Sequence, residues 1–173
     1  MWALSREAAR VVVLDDRDRV LLLRARDPAE PAKGEWWEIP GGGIEAGESS
    51  AAAATRELYE ETGIRHAEVG PAVWQHRARY TFAGIRFDQL EHIHVARLTG
   101  PADTGGGYRP GGLEALEALA FSGSEWWEVD GLRDLVAGGG RVLPPWLVDQ
   151  LGAYLRDGPA DGPRYLGELP DLF

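Results

Sequence analysis

Residues 41–64, GGGIEAGESSAAAATRELYEETGI, decide how the rest of the chain is read. They run as a glycine loop, a helix carrying carboxylates on one face, and a glycine stop. Ser49 or Ser50 is the N-cap, because a hydroxyl there satisfies a free amide of the first turn. Ala51, Ala54 and Leu58 form the apolar stripe, with alanines small enough to let the helix lie close against a sheet. Gly63 stands where a left-handed residue ends the helix, and Ile64 supplies the accompanying apolar contact. At 100° per residue, Glu57, Glu60 and Glu61 fall inside an arc of about 100°. Like charges at i,i+4 destabilise a bare helix by a few tenths of a kcal/mol. Three on one stripe ask for a partner or for open water. Hard oxygen ligands on a rigid element suit Mg²⁺ or Mn²⁺, which also bridge substrate phosphates.

Upstream of that helix, Val11–Leu14 and Val20–Leu23 are continuous apolar runs around the polar turn 15–19, a hairpin covered on both faces. Glu35–Ile39 is a short strand, which Pro40 and three glycines terminate. Downstream, residues 73–82 alternate: Trp74, His76, Ala78, Tyr80 and Phe82 on one face, Gln75, Arg77, Arg79 and Thr81 on the other. Residues 87–98 return as the next strand, with Gln89, Glu91, Ile93 and Val95 sharing a face. Residues 101–112, rich in glycine and proline, are a loop, and 113–119 hold a short helical turn. Glu125–Val129 is a further strand, followed by a helix over 131–137 and a last helix opened by Pro144 or Pro145. The tail from Gly158 runs extended over the surface.

The chain has 173 residues, enough for one domain with a real core, here taken as about residues 8–157. It has no cysteine, which removes disulfides, thiolate metal sites and a cysteine nucleophile. No apolar run reaches membrane-span length, and no secretory pattern opens the chain, so the expectation is a cytoplasmic protein without membrane association. A formal net charge of −10 argues against a basic nucleic-acid face, so no DNA or RNA partner is expected. It leaves an anionic small substrate open, since a divalent cation reverses the local field. Exposed strand edges and an aromatic hairpin leave room for a homodimer.

The spacing of Gly42, Glu48, Arg56, Glu57, Leu58, Glu60, Glu61, Gly63 and Ile64 resembles the Nudix box, G-x5-E-x7-R-E-U-x-E-E-x-G-U, at every specified position. The tryptophan-containing strand before it and the Trp126-Trp127 strand after it are similar to the family as well. The resemblance implies an α/β fold, an α/β/α sandwich around a mixed β-sheet. It implies a hydrolase that cleaves the diphosphate linkage of a nucleoside diphosphate derivative, using Mg²⁺ or Mn²⁺, by attack of water on phosphorus. Position by position, Glu57, Glu60 and Glu61 would bind metal, with the Gly41 carbonyl as a further ligand. Glu48 and Arg56 would form a structural ion pair.

For the general base, Glu57 is the first candidate, in a dual ligand and base role. Glu91 is the outlying one, because an inward carboxylate without a partner is costly; pairing with an inward arginine is its other reading. Trp36, Trp74 and Tyr80 are either stacking surfaces for a base or core residues. His76, His92 and His94 read as ordinary strand histidines. The competing function is a non-catalytic nucleotide-binding or sensing module. An RNA-directed role is a third, which the acidity disfavours.

Overall fold

The computed structural model describes residues 2–102 and 115–171. Its centre is β1 (Leu4–Leu14), which pairs in parallel with β6 (Ile85–Leu98) along its whole length. β2 (Val20–Arg26) turns back antiparallel from β1, and β3 (Glu35–Glu38) continues outward from β2. β5 (Ala67–Phe82) lies antiparallel to β6 on the other side. Four short strands complete the sheet. They are β4 (Gly41–Gly43) on β1, β7 (Phe121–Trp127) on β2, β8 (Val142–Leu143) on β3, and β9 (Arg164–Glu168) on β5. The helices are α1 (Ser50–Thr62), α2 (Ala115–Ala120), α3 (Val129–Ala137) and α4 (Leu147–Asp157).

The apolar run of β1 serves both faces of the sheet. Ala9, Val11 and Val13 pack with Leu21 against Ala53, Ala54 and Leu58 of α1. Val12 and Leu14 pack with Leu22, Trp74 and Ile93 against Leu132, Leu147 and Leu151 of α3 and α4. Each such branched side chain contributes about 1.5–3 kcal/mol when fully buried. The result is the α/β sandwich with a mixed sheet.

Helix α1 is held at both ends by local chemistry. The Ser49 side chain accepts from the Ala52 amide at 3.1 Å, and Gly63 ends the helix at φ 77° with its amide bonded to the Tyr59 carbonyl. Its buried apolar residues are Ala53, Ala54 and Leu58, whereas Ala51 is only half-buried.

Four expectations change. The strand expected over Glu125–Val129 is β7, which starts at Phe121 and ends at Trp127, so that Glu128 is already the N-cap of α3 and Val129 its first residue. Residues 41–43 are a strand on β1, not only a turn. β5 starts well before residue 73, because irregularities at 69–72 and 72–74 break the two-residue alternation there. The tail is extended, but part of it is β9, whose largely exposed residues carry no buried alternation for a sequence to display. The loop expected over 101–112 lies mostly outside the described residues, as does the start of the 113–119 turn.

Candidate active site

β4 is the lip of a cleft of about 500 Å³. Its pleat sends successive glycines to opposite walls. A Cβ on Gly42 would lie 2.4 Å from a carboxylate oxygen of Glu57, while one on Gly43 would lie 2.8 Å from Nη1 of Arg6. One on Gly41, at φ 156°, would meet the Ala9 carbonyl oxygen at 2.4 Å and Cγ of Arg10 at 2.5 Å. With Glu57 and Arg6 where they stand, the absence of side chains on β4 lets the strand pass between an acidic wall and a basic one.

Arg56 organises the acidic wall. Its Nε and Nη2 donate to the two oxygens of Glu48 at 2.9 and 3.0 Å, and Nη2 also reaches the Gly43 carbonyl at 2.9 Å. Nη1 donates to Glu57 at 2.9 Å and to Glu60 at 3.3 Å. This fork ties the loop, β4 and α1 together, a geometry for which guanidinium is suited and ammonium is not. Through it Arg56 holds the Glu48 carboxyl below its ordinary range.

Glu57 and Glu61 are buried on α1, and Glu61 accepts from the Gly41 amide at 2.9 Å. Oε2 of Glu57 is buried and has no hydrogen-bond partner among the described residues. Burial pushes the Glu57 carboxyl up, and Arg56 offsets this only in part. Burial, followed by the nearby Glu57 and Glu38, raises Glu61 well above the ordinary range. Glu117 of α2 joins them: one oxygen from each of Glu57, Glu61 and Glu117 lies within 4.8 Å of the others. Packing three acids this closely is unfavourable without a counter-charge. An orphaned, buried oxygen among hard donors fits a divalent cation of the Mg²⁺ type. Glu60 lines the cleft but its carboxylate faces Arg56, outside that group of three.

The remaining sequence candidates separate. Trp36 lines the cleft, buried, with its indole N–H donating to Glu38 at 2.8 Å. Tyr80 lines it too, stacked on Phe87 at 5.2 Å. Trp74 does not reach it: that end of β5 lies under α4, and the indole packs in the core against Trp146 and Tyr154 at 5.3 and 5.6 Å. Glu91 lines the cleft with both oxygens engaged. Oε2 accepts from Arg10 at 2.9 Å and bonds His76 at 2.8 Å, and Oε1 accepts from Gln89. Burial alone would raise its pKa, but Arg10 and these hydrogen bonds hold it below the ordinary carboxylate range. A carboxylate so occupied is a poor proton acceptor.

Sequence reasoning missed Glu117, Glu38, Arg6 and Arg10. Glu117 sits on a short helix far along the chain and carries no local signal. The arginines did carry one, since they alternate with Ala8 on a strand whose next residues are wholly apolar.

Residues 4–147 match the NUDIX domain family, and the chain belongs to it. It is 30% identical over 129 residues to an RNA pyrophosphohydrolase of Rhodopseudomonas palustris (strain BisB18), covering 70% of this chain and 72% of that one. It is 30% identical over 111 residues to a protein of Bacillus subtilis (strain 168) provisionally named an 8-oxo-dGTP diphosphatase. That match spans 62% of this chain and 64% of the Bacillus protein, just under two thirds of its length. Among solved structures, the MutT protein of Methanosarcina mazei Go1 shares the fold at a TM-score of 0.57 and 17% identity, over 91% of this chain and 97% of that one. No helix among the described residues is long and apolar enough to cross a membrane.

Proposed function

We propose that the chain is a metal-dependent pyrophosphohydrolase, cleaving the diphosphate linkage of a nucleoside diphosphate derivative by attack of water on phosphorus. The observation that carries this reading is the close group of Glu57, Glu61 and Glu117, the first two buried, with one buried Glu57 oxygen left without a hydrogen-bond partner among the described residues, in the wall of the cleft. Those three would hold Mg²⁺ or Mn²⁺, with Glu60 and the Gly41 carbonyl, expected from the resemblance, completing the set. The ion, when bound, would neutralise phosphate charge and acidify the attacking water. The protein's share is orientation and proton handling. Arg56 fixes the rotamer of Glu57, and Glu57 is the group best placed to take the proton from water. Trp36 and Tyr80 offer aromatic faces for a base.

A screen of nucleoside diphosphate derivatives with Mg²⁺ or Mn²⁺, identifying each product, tests this. Products expected are a nucleoside monophosphate or inorganic pyrophosphate. Tight nucleotide binding with no turnover under either metal would instead favour a sensing module. A second reading, RNA as the substrate, is favoured by the relatives named RNA pyrophosphohydrolases. It contends with the charge of −10. Release of pyrophosphate from triphosphorylated RNA in the same screen would support it.

A further inference from the structure

The basic wall of the cleft has a built support of its own. Arg6 and Arg10 both project from β1 into the cleft, and both are anchored through Nε. Arg6 donates to the side-chain oxygen of Gln89 at 2.9 Å, and Arg10 donates to Glu91 at 2.9 Å. Gln89 in turn donates to Glu91, so the two acceptors are locked to each other. Behind Glu91 stands His76, 1% exposed. The indole N–H of Trp146 lies 2.9 Å from Nδ1 of His76 and can only donate. Nδ1 is therefore the acceptor, and Nε2–H donates to Glu91. A chain of hydrogen bonds thus runs from the start of α4 to the guanidinium of Arg10, and fixes the imidazole in one tautomer.

This support leaves the outer nitrogens of the two arginines for a ligand. Among the described residues, Nη1 of Arg10 reaches only the Ile39 carbonyl, at 3.5 Å, the limit of a hydrogen bond. The Arg6 guanidinium lies over the Phe87 ring at 4.8 Å, and among the described residues its outer nitrogens make no hydrogen bond. Glu38 and Tyr80 act on Arg10 electrostatically, whereas among the described residues its hydrogen bonds go to Glu91 and the Ile39 carbonyl. The acidic and basic walls meet at adjacent residues of β4, Gly42 and Gly41. A substrate with two linked phosphates would place one toward each wall, because guanidinium binds phosphate oxygens in pairs.

We propose that Arg6 and Arg10 form a phosphate clamp, and that Glu91, backed by His76 and Trp146, is a positioning residue for Arg10. This rests on the hydrolase reading for its substrate, but the clamp itself is testable without turnover. Inorganic pyrophosphate is titrated into the metal-free protein in EDTA, followed by calorimetry. Arg6→Ala and Arg10→Ala are each expected to weaken binding about tenfold or more, the usual effect of losing a charge-assisted hydrogen bond. Arg10→Lys should not restore it, having no Nε anchor. Arg6→Ala keeps the test decisive should Arg10→Ala misfold, since its partner Gln89 is neutral. Affinity unchanged in Arg6→Ala, or no binding by the unaltered protein at millimolar pyrophosphate, overturns the clamp even if hydrolysis is found. Affinity lost in a protein that hydrolyses nothing leaves the clamp standing and sinks the hydrolase. For Glu91→Gln with the best substrate, KM should rise about tenfold while the acidic limb of the pH–rate profile stays in place. Loss of that limb with KM and pyrophosphate affinity unchanged would make Glu91 the base, and would overturn its positioning role.

Discussion

At the residue scale, the decisive contact is the one between a missing side chain and a carboxylate. Gly42 leaves the space that Glu57 occupies, and a methyl group there would stand 2.4 Å from its oxygen. Gly42→Ala is therefore expected to displace Glu57 and lower kcat about a hundredfold, the scale on which a 1 Å misplacement acts. The melting temperature should change little by comparison, because the clash is with a side chain that can turn toward the cleft. Steady-state kinetics beside a thermal melt would separate the two. Arg56→Lys makes the complementary case. A single ammonium cannot reach Glu48, Glu57 and the Gly43 carbonyl together, so it should lose activity nearly as far as Arg56→Ala does. Full activity in the lysine variant would mean that charge alone matters there.

At the scale of elements, α1 was legible because its instructions are local. Cap, small-residue face, glutamate stripe and glycine stop all lie within the stretch that forms it. What was not legible is what reaches α1 from elsewhere. Nδ1 of His94 on β6 bonds the Gly70 carbonyl at 2.8 Å, and its Nε2 lies 2.9 Å from the Ser50 hydroxyl. Serine at the first helical residue thus ties the helix to the sheet through a neutral imidazole. Burial pushes the pKa of His94 below its ordinary value. A histidine depressed in the folded state binds its proton more readily when unfolded. Its stabilising contribution is complete above the unfolded value, near 6.5, and declines as pH falls below it. The melting temperature should drop more between pH 7.5 and pH 5.5 than it does in His94→Gln. Equal drops would show that His94 has no part in the acid response. Glu117 and the β5 irregularities were hidden for the same reason: their meaning lies in contacts distant along the chain.

At the scale of the whole molecule, the sandwich gives two packed layers on β1 and leaves the cleft at the edge of the glycine strand. The cleft draws on segments that fold far apart in sequence. β9 lies beyond the matched family region, yet it covers the edge of β5, and Leu169 just after it lines the cleft. Truncation after Gly158 should keep the two core layers while exposing that edge, lowering the melting temperature by roughly 2–8 °C for a loss of about 1–2 kcal/mol. Association on size-exclusion chromatography would accompany it. An unchanged melt would mean that β9 contributes nothing to the fold.

On the proposed function, the clustered carboxylates Glu57, Glu61 and Glu117 of α1 and α2 direct water onto a diphosphate. Hydrolysis of the best substrate in ¹⁸O-labelled water, with mass spectrometry of the products, tests it most directly. One ¹⁸O per turnover should appear in a phosphate product, and Glu57→Gln should slow that incorporation at least about a hundredfold, the usual worth of a positioned general base. Label incorporated at an undiminished rate by Glu57→Gln would rule out Glu57 as the group that takes the proton from water.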